Sequence, residues 1–379
     1  MSVKILTVVG ARPQFVKASA VSRALRAEGI EEVLVHTGQH FDDEMSAVFF
    51  RELALDAPRY NLGISGGSHG QMTGRMLERV EQVISGERPR AVLVYGDTNS
   101  TLAGALAAAK LQVPVVHVEA GLRSYRRGMP EEINRVIADQ VATLLCGPTR
   151  TAVDNLRREG FEHVLNDGAL AGGDTSEIDT GRPCVANVGD VMVDVLRHYR
   201  DAAAEHSQIL ERLKLQPGAY AVLTIHRAEN TETIDAIRPI LRAVSALPIR
   251  PIVFAIHPRA DQLLRDAGEF ESLTRNLMVV KPLSYLDFMH LQASARIILT
   301  DSGGIQKEAF CLRVPCLTLR DETEWPETTA GGWNQLVGSR PSDLRQRLDR
   351  SPAETNDGCV FGAGDAAIRT VRLLRSVFS

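Results

Sequence analysis

The sequence predicts an α/β protein built from two Rossmann-like domains whose parallel sheets face a cleft. Three observations carry this expectation. The chain has 379 residues, more than one hydrophobic core usually fills, and this favours two domains of roughly 150 to 200 residues. Apolar runs of strand length alternate with amphipathic stretches of helical length, the βαβ rhythm of a parallel sheet. The alternation comes in two series, separated by His163 to Pro183, which is rich in Gly, Asp and Thr and has no apolar period.

The first series contains Lys4 to Val9, Glu32 to His36, Ala91 to Tyr95, Val113 to Val118 and Thr143 to Cys146. Its opening, MSVKILTVVGARPQ, has too short an apolar run for a signal peptide or a membrane span and reads as a buried first strand. This series gives an N-terminal domain over 1–185. The separating stretch, with GALAGGDTSEIDTGRP, reads as a mobile insertion near the domain junction. The second series contains Tyr220 to Ile225, Pro251 to Ile256, Leu277 to Val280, Ile297 to Thr300 and Val314 to Leu319, giving a C-terminal domain over 186–364. Asp365 to Phe378 reads as an amphipathic helix, and 365–379 is expected to pack back on the first domain.

Composition bounds the partners. The chain is 44% hydrophobic, 24% charged and 5% aromatic, the profile of a soluble globular protein. Its net charge of -4 argues against nucleic acid, whose phosphate backbone asks for a basic surface, and leaves small anions as ligands. Cys146, Cys184, Cys311, Cys316 and Cys359 are odd in number and lack CxxC spacing, so neither a zinc site nor a disulfide framework is indicated. The expected setting is the cytoplasm, with no membrane partner and no metal.

In open parallel sheets ligands bind beyond the carboxyl ends of the strands, so polar residues there carry the most weight. After the first strand stands Gly10-Ala11-Arg12-Pro13-Gln14-Phe15-Val16-Lys17. It is either a tight turn with two solvated cations or a close backbone approach to a ligand, with Arg12 and Lys17 adding fixed positive charge. In Gly96-Asp97-Thr98-Asn99-Ser100 the aspartate either caps the next helix or serves in chemistry. Glu119 directly follows the apolar run PVVHV, which places a charge at the sheet edge facing the cleft. Glu131 and Glu132 open a helix, as dipole-compensating charges or as acids of a site.

In the second series His226 and His257 each follow a strand, as satisfied structural residues or as ligand contacts. The strongest single signal is Thr300-Asp301-Ser302-Gly303-Gly304-Ile305-Gln306-Lys307-Glu308. A strand gives way to a Ser-Gly-Gly turn and a helix, leaving backbone N–H groups pointing outward beside a hydroxyl, which suits a diphosphate unless the turn is a plain tight turn or cap. Glu308, one helical turn in, is placed to reach ribose hydroxyls. GxxxxGK[ST], HExxH, GxSxG and GxGxxG are all missing, which sets aside P-loop nucleotidases, zincins, serine hydrolases and ordinary NAD dehydrogenases.

Seven blocks in order, GARPQFVK, TGQHFDDEM, VYGDTNSTLAG, HVEAGLRS, MPEEINR, IHRAEN and TDSGGIQKEA, resemble the non-hydrolysing UDP-N-acetylglucosamine 2-epimerase family over nearly the whole chain apart from His163 to Pro183. The resemblance implies a GT-B-like fold, UDP held mainly by the second domain, a homodimer and no cofactor. Carried over residue by residue, the family's essential acids fall on Asp97, Glu119 and Glu131, its cationic pair on Arg12 and Lys17, and its diphosphate-contacting histidine on His226. Those six form the implied catalytic set. Ser302, Gly303 and Gly304 match the diphosphate loop, Glu308 the ribose ligand, and Lys281 to Phe288 the surroundings of the uracil. The implied reaction inverts C2 of a UDP-N-acetylamino sugar, UDP-N-acetylglucosamine to UDP-N-acetylmannosamine, for surface polysaccharide precursors. A GT-B glycosyltransferase is the alternative class, and a catalytically silent nucleotide-sugar sensor is the third.

The chemistry explains these residue types. The C2 proton of an amino sugar has no neighbouring carbonyl, so its removal needs another electron sink, and expelling UDP from C1 supplies one. A 2-acetamidoglycal and UDP then wait in the site, and cations and N–H groups stabilise the charge growing on the diphosphate. Return of UDP with protonation of the opposite face asks for two acid/base positions.

Two departures from the family pattern bear on the substrate. Well-studied bacterial members read GTRPE where this chain reads GARPQ, so Gln14 replaces a carboxylate and alters the charge balance near Arg12. Those members also carry glutamine-rich QHR-type helices that bind a second substrate molecule as an activator. Here the stretch reads Gln39-His40-Phe41-Asp42-Asp43-Glu44-Met45, and that activation is not expected. The alternative substrate is a decorated sugar such as UDP-2,3-diacetamido-2,3-dideoxyglucuronate. Its C5 carboxylate needs a cation, for which Arg123, Arg126, Arg127 and Arg135 are candidates unless they form a solvated basic loop.

Overall fold

The computed structural model describes residues 3–39, 50, 52–171, 181–339, 343–348, 352 and 359–378. The chain divides into two compact units, Met1–Arg197 with Cys359–Ser379, and His198–Gly358. Each has its own sheet.

In the first unit the strands are β1 (Lys4–Val9), β2 (Glu31–His36), β3 (Tyr60–Asn61), β4 (Ala91–Tyr95), β5 (Val115–Val118), β6 (Leu144–Gly147) and β7 (Cys184–Asn187). They stand in the order β3-β2-β1-β4-β5-β6-β7, and all pairings are parallel. Central strands of such a sheet are covered on both faces, which is why β4 reads as the unbroken apolar run AVLVY and is buried throughout. Leu6, Val8, Val33, Val35, Val92 and Val94 belong to one core with Ala105, Ala108 and Leu145. The strand order reverses between β1 and β4, and a reversal opens a crevice beyond the two carboxyl ends. Gly10–Lys17 and Gly96–Asp97 leave the sheet at this point.

The C-terminal helix Ala366–Phe378 belongs to the first unit and packs on the helix Arg12–Ala27. Asp194 receives its first free amides, Ala366 N at 3.1 Å and Ala367 N at 2.7 Å. Burial pushes the Asp194 carboxyl up to about 6, against the pull of those two donors. At the helix's other end Arg90 Nε donates to the Phe378 carbonyl at 3.1 Å.

The second unit repeats the plan. Its strands are β8 (Ala221–Thr224), β9 (Ile252–Ala255), β10 (Met278–Val280), β11 (Ile297–Thr300), β12 (Cys316–Thr318) and β13 (Asn334–Leu336). The order is β10-β9-β8-β11-β12-β13, again parallel, and here the reversal lies between β8 and β11. Thr224 is in register with Thr300, their hydroxyls are 2.7 Å apart, and the two neighbouring loops start from these residues.

Three strands lack the expected sequence signal. β3 is two polar residues and β13 reads NQL, whereas β7 starts right after Pro183 at the end of the stretch read as an insertion. The front of that stretch is held against β7 by pairings of Val164 with Val185 and Leu170 with Asn187. Residues 172–180, like the acidic run Asp42-Asp43-Glu44, lie outside the described residues.

Candidate active site

In the first unit the loops after β1, β2 and β4 are drawn together. An added Cβ on Gly10 would collide with both Ser100 Oγ and Thr37 Oγ1, which hydrogen-bond to each other at 2.8 Å. Gln14 ties the same loops. Its Oε1 accepts from the amides of Gly10 at 2.8 Å and Ala11 at 3.1 Å, and its Nε2 donates to the Tyr95 carbonyl and Thr101 Oγ1, both at 3.0 Å. Four partners satisfy the whole buried amide. Gln14, where the family pattern has a carboxylate, is therefore a brace between two loops.

Arg12 opens the helix Arg12–Ala27 and Lys17 lies further along it. The ammonium of Lys17 forms an ion pair with Glu119, and both side chains are about nine-tenths buried. Glu119 stands directly beyond β5 with φ +71°, a backbone state that costs a residue with a Cβ about 1–2 kcal/mol. Gly96 lies beside the pair. Its φ is +59°, and a Cβ there would meet Lys17 Nζ at 3.4 Å and Glu119 Oε1 at 4.0 Å.

Asp97 does not cap the next helix, since Thr98 is the N-cap and its hydroxyl accepts from Thr101 N. The Asp97 carboxylate instead pairs with the buried guanidinium of Arg135. Asn134 Nδ2 also holds the Asp97 carbonyl at 2.9 Å. Both partners come from the helix Pro130–Val141, whose first turn carries Glu131 and Glu132. The two glutamates differ sharply. Glu132 is buried and accepts from Ser124 N, Ser124 Oγ and Tyr125 N, each at 2.9 Å. Glu131 is half-buried and has no hydrogen bond or ion pair among the described residues.

Of the four arginines considered for a sugar carboxylate, two are already committed. Arg135 serves Asp97, while Arg123 serves Asp139 at 2.8 Å and Glu159 at 2.6 Å. Both are buried, which corrects their reading as free cations or as parts of a solvated loop. Arg126 and Arg127 are exposed.

In the second unit Asp301 organises the edge. It is fully buried at the end of β11 and accepts from His226 N at 3.1 Å, Arg227 N at 3.0 Å and Asn230 Nδ2 at 3.0 Å, while His226 Nδ1 lies 3.0 Å from Oδ1. Burial alone would raise its carboxyl. The His226 ring, then Asn230 and the Arg227 amide, outweigh burial and bring it down to about 2. With Nδ1 committed, His226 presents its other nitrogen from a side chain that is 39% exposed. His257 has a structural task, accepting from Arg259 N at 3.2 Å as the N-cap of Pro258–Asp266.

Ser302 is the N-cap of Gly303–Leu312, and no acid stands in that helix's first turn. The amides of Gly303 and Gly304 are among those a helix start leaves unpaired. They present donors and positive potential where an anion can bind. Glu308 is buried one turn along and accepts from Gln292 Nε2 at 2.8 Å. The N-cap Ser284 starts the helix Tyr285–Ala293 within the stretch tied to uracil. Behind Gly303, Arg320 grips Glu324 through both terminal nitrogens at 2.9 Å, and Arg227 approaches the same carboxylate at 3.4 Å.

Sequence reasoning quoted Asp301 without giving it a task and passed over Arg320 and Glu324. A signal existed, because Asp301 directly follows a wholly apolar strand, the feature that picked out Glu119. Among the described residues no His, Cys, Asp or Glu group is arranged to hold a metal, and no helix is long and apolar enough to cross a membrane.

Two parallel α/β units, one with braced carboxylates and the other with a Ser-capped Gly-Gly helix start, fit a nucleotide-sugar enzyme. The chain belongs to the UDP-N-acetylglucosamine 2-epimerase family, whose model matches residues 23–375. It is 43% identical to a UDP-N-acetylglucosamine 2-epimerase homolog of Methanococcus maripaludis, over 99% of this chain and 100% of the relative. It is 44% identical to the UDP-2,3-diacetamido-2,3-dideoxy-D-glucuronate 2-epimerase of Pseudomonas aeruginosa, over 98% and 99% respectively. The crystal structure of the Methanocaldococcus jannaschii UDP-GlcNAc 2-epimerase in complex with UDP-GlcNAc and UDP is similar with TM-score 0.86 and 38% identity, over 99% of this chain and 100% of that one. The resemblance read from the seven blocks and the two-sheet α/β architecture are thereby borne out.

Proposed function

We propose that the chain is a non-hydrolysing epimerase that inverts C2 of a UDP-N-acetylamino sugar, converting UDP-N-acetylglucosamine to UDP-N-acetylmannosamine. The carrying observation is the set of three carboxylates at one sheet edge: Asp97 braced by Arg135, Glu119 braced by Lys17, and Glu131 without a partner among the described residues. A carboxylate takes the C2 proton, the C2–H electrons form the C1–C2 double bond, and the C1–O electrons leave with UDP. UDP then returns to C1 while a proton reaches the other face of C2. Return of UDP with protonation of the opposite face needs two acid/base positions, and these three carboxylates are the groups at hand. In the second unit His226, Ser302, Gly303 and Gly304 receive the diphosphate, and Glu308 the ribose.

Incubation with UDP-N-acetylglucosamine in D2O without an acceptor is the test. Deuterium at C2 is expected, and its absence rejects the elimination. Asp97→Asn, Glu119→Gln and Glu131→Gln should each lower kcat by about 10²-fold or more, and near-normal turnover removes that residue from the mechanism. Free UDP with N-acetylmannosamine as the product would indicate hydrolysis instead.

A decorated sugar is the second reading, favoured by the 44% identity to the Pseudomonas enzyme. Arg126 and Arg127 are then the cations for its carboxylate. Exclusive turnover of the undecorated sugar rejects it. The same family reading proposes a cytoplasmic homodimer feeding surface-polysaccharide assembly, which sedimentation and cell fractionation test.

A further inference from the structure

His117 lies in β5, wholly buried, and both of its ring nitrogens face acceptors. Nε2 is 2.8 Å from the Gly96 carbonyl and Nδ1 is 2.7 Å from Asp139 Oδ1. The other oxygen of Asp139 accepts from Gly121 N at 3.1 Å and from Arg123 Nη1 at 2.8 Å. Burial opposes the Asp139 carboxylate, but His117 and Arg123 outweigh it and hold the carboxyl below its ordinary range. Arg123 is anchored in turn by Glu159, with Nε and Nη2 each 2.6 Å from an oxygen.

These contacts have one geometric outcome. The Gly96 carbonyl belongs to the peptide that leads into Asp97. Gly121 stands two residues beyond Glu119, and Asp139 lies on the helix that starts at Pro130 and carries Glu131. We propose that His117, Asp139 and Arg123 form a buried positioning relay that holds the three acid-bearing elements in mutual register without touching substrate. The relay rests on the assignment of Asp97, Glu119 and Glu131 as the acid/base groups. A buried, fully hydrogen-bonded knot has little freedom to drift, and acid/base chemistry on two faces of a sugar ring tolerates little drift. A displacement of about 1 Å can cost about 10²-fold in rate. None of these bonds involves a residue of the second unit.

The test uses the full chain with His117→Gln and Asp139→Asn, read by kcat, KM, UDP affinity by calorimetry and thermal melting. The relay is expected to show as a kcat lowered about 10- to 100-fold, with KM and UDP affinity within a few-fold of wild type. Free 2-acetamidoglycal and UDP should also rise, because reprotonation by a displaced acid fails more often. Unchanged kcat in the folded variants, with a lower melting temperature alone, reduces the knot to a core stabiliser and overturns the proposal. Arg123→Lys is the gentler arm should both variants fail to fold: a several-fold lower kcat at unchanged UDP affinity supports the relay, and an unchanged kcat overturns it. Asp97→Asn runs alongside. If that variant stays active the acid assignment itself fails, whereas active relay variants beside an inactive Asp97→Asn sink only the relay.

Discussion

Replacing Asp301 by asparagine removes one charge and almost no volume, and its cost can be worked from the contacts. The carboxyl sits at about 2 in the folded protein against an ordinary aspartate near 3.8, a difference worth about 2.5 kcal/mol to the folded state at neutral pH. An asparagine would also turn an NH2 group toward donors on whichever side it occupies, since the His226 ring approaches one oxygen, Arg227 N and Asn230 Nδ2 the other, and His226 N both. A loss of about 2–4 kcal/mol in the unfolding of the second unit is expected at pH 7. The sign with pH follows from the depressed value. The unfolded chain binds the proton first as pH falls, so the aspartate's contribution is complete above about pH 5 and about half gone by pH 3. Urea unfolding of both proteins at pH 7, 4 and 3 should therefore show a gap that narrows at pH 3. UDP affinity by calorimetry should weaken as well, because His226 loses the anchor of its ring. Equal stability at pH 7, or a gap as wide at pH 3 as at pH 7, refutes the reasoning.

Three further outcomes follow from other contacts. Gln14→Glu sets a carboxylate against the Tyr95 carbonyl, now 3.0 Å from the amide nitrogen, and should cost about 1–3 kcal/mol, read as a lower urea midpoint; an unchanged midpoint would show that the brace is dispensable. Gly96→Ala forces a Cβ into φ +59° beside Lys17, costing about 1–2 kcal/mol and lowering kcat about tenfold or more through displacement of Asp97, while UDP affinity in calorimetry stays near wild type. Ser302→Ala removes the cap of Gly303–Leu312 and should cost roughly 1 kcal/mol in stability, with weaker UDP binding; full UDP affinity would detach the hydroxyl from the diphosphate site.

The amino-acid order by itself determined the two-sheet α/β plan, because buried parallel strands are short, local and apolar. Lys4 to Val9, Ala91 to Tyr95 and Ile297 to Thr300 announce themselves within a few residues. Polar edge strands such as Tyr60–Asn61 and Asn334–Leu336 do not, since pairing with a neighbour and not local pattern makes them strands. The candidate acids were legible through motifs, as was the Ser-Gly-Gly helix start. Which acid has which partner was not. Lys17 meets Glu119, Arg135 meets Asp97, and Asp301 meets His226 from separate strands and helices. Adjacent glutamates divide into a structural Glu132 and a Glu131 without a partner among the described residues, and Gln14 becomes a brace, only when loops far apart in the chain are packed together. Burial and charge pairing depend on where distant segments converge, and only the tertiary structure decides that.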